Sequence, residues 1–346
     1  MDRYIGVDAH AQSCTIAVMS AAGKRLQEAR IETNGEALRN FLRSIAGRKH
    51  LCLEEGTMSE WMHELLEPLV DEIVVMMPKR SVGNKNDSLD AWARADELRR
   101  GAIDVAVFKA PRKFVALREA VRAHEIAQRD MVRAKARLNA VYRSRGISGM
   151  GSAIYDSASR HDWLDKLPQH RRELADLLSS QLDGLMTIHE AAQSWLITEA
   201  TQAPIVQLIK TAPGIGDIRA AQIVATVISP HRFRTKKQFL SYCGLGIVTR
   251  SSSDWVKTEQ GWQRRMVAQP RGLNRNRHPI LKRVFRGAAD SVIRSRPEHP
   301  LNIAYRRATE AGVKPNLARL TLARRIAVAV LAMWKNNQEY DTTRHN

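Results

Sequence analysis

The sequence predicts an α/β domain at the N-terminus, two long helices, and a mainly α region at the C-terminus. Three observations predict it. Short apolar, β-branched runs alternate with helical patterns over residues 1–110. Residues 112–145 and 171–198 carry long helical patterns almost free of breakers. Beyond Pro204 come short helices, a glycine hairpin and a strong terminal helix over 318–335.

Residues 3–8, Arg3-Tyr4-Ile5-Gly6-Val7-Asp8, read as a buried strand that ends on a carboxylate. Residues 14–19 are β-branched and apolar and read as a second strand. Residues 21–24, with Gly23, make a hairpin turn, and 26–32 return as a third strand. Asn34 caps a helix over 36–45 that places Leu38, Phe41, Leu42 and Ile45 on one face. Three meandering strands followed by a helix open a ribonuclease-H-like sheet. Residues 51–53 form a short strand ending on Glu54. Ser59 is expected to cap a helix whose face is Trp61, Leu65, Leu66 and Leu69. Residues 72–76 are the next strand, 79–86 a basic loop, and 88–100 a helix.

The next boundaries follow the change of pattern. Residues 111–200 are expected to form a coiled-coil connector. Its first helix has an alanine face, and its second a face of Leu174, Leu177, Leu178, Leu182, Leu185 and Ile188. An ordinary helical bundle is the other reading of the same pattern. In the third segment, 201–346, Ala212-Pro213-Gly214-Ile215-Gly216 joins two helices. Gly214 and Gly216 either offer backbone N–H groups to a phosphate or only make a tight turn. A stretch rich in arginine follows.

Lys and Arg number 55 against 36 Asp and Glu, a formal net charge of +19. Such an excess favours a polyanionic partner, because basic groups release counterions from a phosphate backbone. Arg250, Arg264, Arg265, Arg271, Arg275, Arg277 and Lys282 are the expected nucleic-acid contacts. Trp255 and Trp262 stack on bases or pack in the core. Cys14, Cys52 and Cys243 lie far apart in apolar contexts and fit neither a disulfide framework nor a zinc spacing. They read as reduced core residues of a cytoplasmic protein. No apolar run approaches the roughly 18 residues of a membrane span.

The chemistry is expected at an acidic cluster. Asp8 and Glu54 end neighbouring strands, while Asp87 and Asp90 sit three apart at a helix start. Hard divalent cations prefer such oxygen ligands, and carboxylates that hold them serve phosphoryl transfer. Glu55 is the rival of Glu54, and strand alternation admits only one of them. His10 reads as structural.

Gly6-Val7-Asp8, Leu53-Glu54-Glu55-Gly56 and Lys85-Asn86-Asp87-Ser88-Leu89-Asp90-Ala91 resemble the Asp-Glu-Asp-Asp signature of the IS one-ten family of insertion-sequence transposases. The N-terminal domain of that family is similar to the RuvC junction resolvase. Ala212-Pro213-Gly214-Ile215-Gly216 and Tyr242-Cys243-Gly244-Leu245, followed by serines and a basic segment, resemble its second domain. The resemblance implies a DNA transposase or site-specific recombinase, with Mg²⁺ or Mn²⁺ held by Asp8, Glu54, Asp87 and Asp90. It also implies donor and target DNA, a structured guide RNA, and a dimer or tetramer.

The family's covalent nucleophile, a serine, falls on Ser252, with Ser251 and Ser253 as neighbours. Here Asp254 stands close to where glycine usually follows that serine. Two other readings use the same residues. One is a metal-dependent junction resolvase without a covalent intermediate, and the other a non-catalytic nucleic-acid-binding protein.

Overall fold

The N-terminal strands pair as their apolar patterns require. In a computed structural model, which describes residues 1–78, 87–107, 113–250, 255–264, 269–274 and 276–343, the chain divides into two units, Met1–Pro111 and Arg112–Asn346. The first unit is built on a mixed sheet of β1 (Asp2–Ala9), β2 (Ser13–Ser20), β3 (Arg25–Glu32), β4 (Arg48–Glu54) and β5 (Glu72–Met76). The strand order is β3-β2-β1-β4-β5. β1 pairs antiparallel with β2 and parallel with β4, so the meander continues into parallel crossovers. That mixed sheet fits the ribonuclease-H-like reading.

Strand alternation divides the sheet into two faces. Ile5, Val7, Ile16, Val18, Leu51 and Leu53 point to one face. There they meet Leu38 and Leu42 of α1 (Gly35–Ser44) and Met62 and Leu66 of α2 (Ser59–Leu66). Ala17 and Met19 point to the other face, against Ala91, Trp92 and Ala95 of α3 (Asp87–Arg99). Cys52 and Met76 share that face with Leu98 of α3. Each face thus buries its own apolar set.

Two details of α2 differ from expectation. Ser59 does not cap it; Met58 holds the cap position, and the Ser59 hydroxyl donates to Glu55 and to the Gly56 carbonyl. Trp61 is 40% exposed, and Met62 takes the core position instead. The helix stops at Leu66 and a 3-10 turn, Glu67–Leu69, follows, because Pro68 lacks the N–H that another helical turn needs. The turn takes Leu69 off the helical face.

In the second unit, α4 (Val115–Arg143) and α6 (Gln169–Gln202) pack antiparallel, with the short α5 (Arg160–Leu164) in the connection. The start of α4, at Leu117 and Ala120, shares a core with Leu196 and Ala200 at the end of α6. Its far end, at Ala134, Leu138 and Val141, shares a second core with Ala175 and Leu182. The seam is narrower than the leucine pattern suggests. Ala175, Ser179 and Leu182 are buried, whereas Leu174, Leu177 and Ile188 are 40%, 70% and 57% exposed. Alanines on α4 let the helices approach closely, and a close approach covers only a thin stripe of α6.

The larger core gathers α7 (Pro204–Lys210), α8 (Asp217–Val227), α9 (Lys236–Tyr242), α10 (Pro279–Ser295), α11 (Pro300–Glu310) and α12 (Pro315–Asn336). Four short strands interrupt these helices, which the sequence pattern did not suggest. β6 (Ile247–Arg250) pairs with β9 (Gln269–Leu273), and β7 (Trp255–Thr258) with β8 (Gly261–Arg264). Among the described residues, no helix is long and apolar enough to cross a membrane.

Candidate active site

The even-numbered residues of β1 face α3, so Tyr4, Gly6 and Asp8 line one row. Gly6 lies against the Ala91 carbonyl so tightly that a Cβ at this position would overlap it. This close approach brings the start of α3 to the end of β1. Asp8, 7% exposed, ends the row. Its neighbour in β4 is Glu54, because Val7 pairs with Leu53 one step earlier. The same parity turns Glu55 toward α2, where Ser59 donates to its Oε2 at 3.0 Å. Glu54, not Glu55, therefore shares a face with Asp8.

α3 supplies the opposing groups. Asp87, Ala91, Arg94 and Leu98 follow the spacing of one helical face. Arg94 is buried, with Nη1 at 3.0 Å from Asp8 Oδ1, a close charge contact. Its Nη2 donates to Glu54 Oε2 at 3.0 Å. His10, two residues beyond Asp8, places Nε2 3.1 Å from Asp8 Oδ2 and 3.3 Å from Asp87 Oδ1. A cationic guanidinium and an imidazole thus separate carboxylates that would otherwise repel.

The cluster that converges differs from the expected four acids. Asp8, His10 and Asp87 each offer a ligand atom, all within 4.8 Å of one another. Two carboxylate oxygens and an imidazole nitrogen suit a divalent cation, and the buried Asp8 carries charge that such an ion would balance. Glu54 lies beside this group but is held by Arg94. Asp90, half-buried one turn along α3, is not among the three donors. Sequence reading gave His10 a structural role and did not single out Arg94. The signals were positional: His10 stands at i+2 from Asp8 on the strand row, and Arg94 at i+7 from Asp87 on the helix face.

Arg94→Met leaves Asp8 and Glu54 facing each other without their cation. Breaking one partner out of a buried ion pair costs about 3 kcal/mol or more. The expected result is a clear drop in melting temperature in EDTA and a smaller drop with Mn²⁺ present. Equal melting of variant and wild type in EDTA would contradict the role assigned to Arg94.

The other expected contacts fall in the second unit. Gly214 has φ 72°, and a Cβ there would overlap the Ala288 carbonyl of α10, so helix packing alone accounts for this glycine. Gly216 precedes α8, whose first turn carries Asp217, paired with Lys210 at 2.7 Å. That carboxylate already serves the positive end of the helix. Arg277 and Lys282 lie in a basic neighbourhood. Burial, then Arg277 and Arg286, hold the Lys282 ammonium below its ordinary range. Arg250, Arg264 and Arg271 lie in β6, β8 and β9, and Trp262 is 64% exposed. Ser251, Ser252, Ser253, Arg265 and Arg275 lie outside the described residues, as do the side chains of Arg250, Trp255, Arg264 and Arg271.

Comparison with known proteins gives three matches. A family model described as "Transposase", of the DEDD IS110 type, matches residues 5–144. A second, described as "Transposase IS116/IS110/IS902 family", matches residues 206–300. "Putative transposase y4qE" of Sinorhizobium fredii (strain NBRC 101917 / NGR234) is 23% identical over 266 residues, covering 74% of this chain and 66% of that protein. The match thus spans just under two thirds of that relative's length.

Proposed function

The chain belongs to the IS110 family of transposases, and we propose that it cuts and rejoins DNA strands at the ends of a mobile element. The observation that supports this best is the convergence of Asp8 and Asp87, from β1 and α3, on one cation-sized space. Asp8, Asp87 and His10 would hold a divalent ion there, Mg²⁺ or Mn²⁺, which would supply charge neutralisation at a scissile phosphodiester. Asp8 is fixed in the sheet and Asp87 on the helix packed against it, so both oxygens are preorganised. Arg94 pairs with Asp8 Oδ1 and with Glu54, and Asp90 lies one turn from Asp87 on α3. Both acids are within the reading as further members of the cluster.

In this reading Ser252 is the nucleophile. Its hydroxyl gives up its proton as Oγ bonds to phosphorus, and a deoxyribose oxygen leaves with the bonding electrons and takes up a proton. Rejoining reverses the step with a second DNA end. Target choice falls to a structured guide RNA encoded by the element, with base pairing selecting sequence while the protein holds backbone and shape. Two duplexes must be held at once, so the working form is a dimer or tetramer, and the α4–α6 pair serves as a coiled-coil spacer. The basic residues of the second unit hold phosphate.

Adduct trapping tests this. Wild-type protein, incubated with element-end DNA and Mg²⁺ and quenched in SDS, is expected to leave a protein–DNA adduct. Ser252→Ala abolishes the adduct, while Ser251→Ala and Ser253→Ala retain it. An adduct in Ser252→Ala removes this nucleophile. Cleavage by wild type with no adduct supports instead a nuclease in which water attacks beside the same acids.

A further inference from the structure

The second unit contains a cleft of about 620 Å³ where the end of α9 meets Asn274 and residues 276–278. Arg232, Arg234 and Arg277 line it, and among its described lining residues none is acidic. Tyr242 and His278 form an aromatic wall with ring centroids 5.9 Å apart. The Arg232 guanidinium lies over the Tyr242 ring at 5.0 Å.

The cleft is built rather than incidental. Asn274 donates to the Ser241 hydroxyl at 2.6 Å, and its backbone N–H donates to the Gly246 carbonyl. The His278 N–H donates to the Tyr242 carbonyl at 2.9 Å, so Asn274 and His278 are each tied to α9 or to the turn after it. Gly244, at φ 68°, lets the Arg277 stem cross the chain where any Cβ would overlap it. Arg277 Nε is buried and has no hydrogen-bond partner among the described residues, and the same is true of His278 Nδ1. Burial, then Arg232, push His278 below its ordinary range, so its ring is neutral near pH 7 and supplies a flat face without charge.

We propose that this cleft binds one unpaired nucleotide of a DNA strand, with Arg234 and Arg277 on its phosphate and the aromatic wall beside its base. Guanidinium groups match phosphate oxygens in a planar fork. Aromatic and arginine planes accept any base by stacking, which suits a strand held without sequence reading. The inference rests on the transposase reading above, and it assigns a position to the strand that reading requires.

Binding of the full chain to a fluorescent single-stranded DNA, followed by anisotropy across a salt series, tests the cleft. Arg234→Ala and Arg277→Gln are each expected to weaken binding about tenfold. Each also lowers the slope of log Kd against log salt by about 1. Arg325→Ala, which removes the same charge from an exposed position of α12, is the control and binds like wild type. Arg234 is exposed, so that variant carries the test if Arg277→Gln lowers the melting temperature. Equal losses in all three variants, or none in the cleft variants, overturn the proposal. A loss confined to single-stranded RNA of the same sequence overturns it in favour of RNA. Wild-type protein that binds no DNA removes the transposase reading itself, whereas normal wild-type binding with unaffected variants removes only the cleft.

Discussion

Asp8→Asn lowers strand cleavage by roughly 10³-fold or more, a barrier increase of about 4 kcal/mol, while the protein still folds. The carboxylate ends the central strand of the sheet at 7% exposure, and both of its oxygens are engaged, Oδ1 by Arg94 and Oδ2 by His10. Asparagine keeps the shape and removes the charge, and with it one anionic donor for a divalent ion. Arg94 retains Glu54 as a partner, so the substitution does not leave a lone buried cation. Cleavage of supercoiled DNA carrying the element ends, measured with melting temperature on the same preparation, checks the prediction. Near wild-type cleavage by a well-folded Asp8→Asn protein removes the acid cluster from the chemistry.

Gly6→Ala is expected to lower stability and cleavage together. A methyl group at this position would overlap the Ala91 carbonyl and the Ala95 nitrogen of α3, and both are main chain. Backbone cannot turn aside as a flexible side chain can, so the helix must shift away from β1. Overpacking of this kind costs about 3 kcal/mol, or a melting temperature lower by roughly 10 °C for a unit of this size. The same shift separates Asp87 from Asp8, so cleavage falls even below the melting point. Scanning calorimetry and cleavage assays at low temperature read the two consequences separately. A Gly6→Ala protein that melts and cuts like wild type would show that this contact does not set the spacing of the site.

Much of the first unit was legible because its signals are short-range. Residues 3–8 and 51–53 are apolar runs that end on acids, and parity along a strand is enough to place Asp8 and Glu54 on one face. The helix carrying Asp87 and Asp90 begins one residue before the expected start. What stayed hidden depends on tertiary contact. A sequence does not say which charged residue of α3 faces the sheet, so nothing in the sequence singled out Arg94. Likewise His10 has no apolar or metal-binding context until Asp87 arrives from a distant segment. In α2, Trp61 and Met62 are adjacent apolar residues, and only the rotation of the helix on the sheet decides that Met62 is buried. β7 and β8 were missed because Trp255–Thr258 and Gly261–Arg264 are strands of four residues with polar, charged neighbours.

The account depends on Asp8 and Asp87 sharing one divalent ion. Calorimetric titration of the metal-free protein with Mn²⁺ measures this most directly, using wild type, Asp8→Asn and Asp87→Asn. One strong site is expected in the wild type, with its affinity falling at least tenfold in each variant, about 1.4 kcal/mol. A wild type with no such site, or a site that both variants keep unchanged, contradicts the claim.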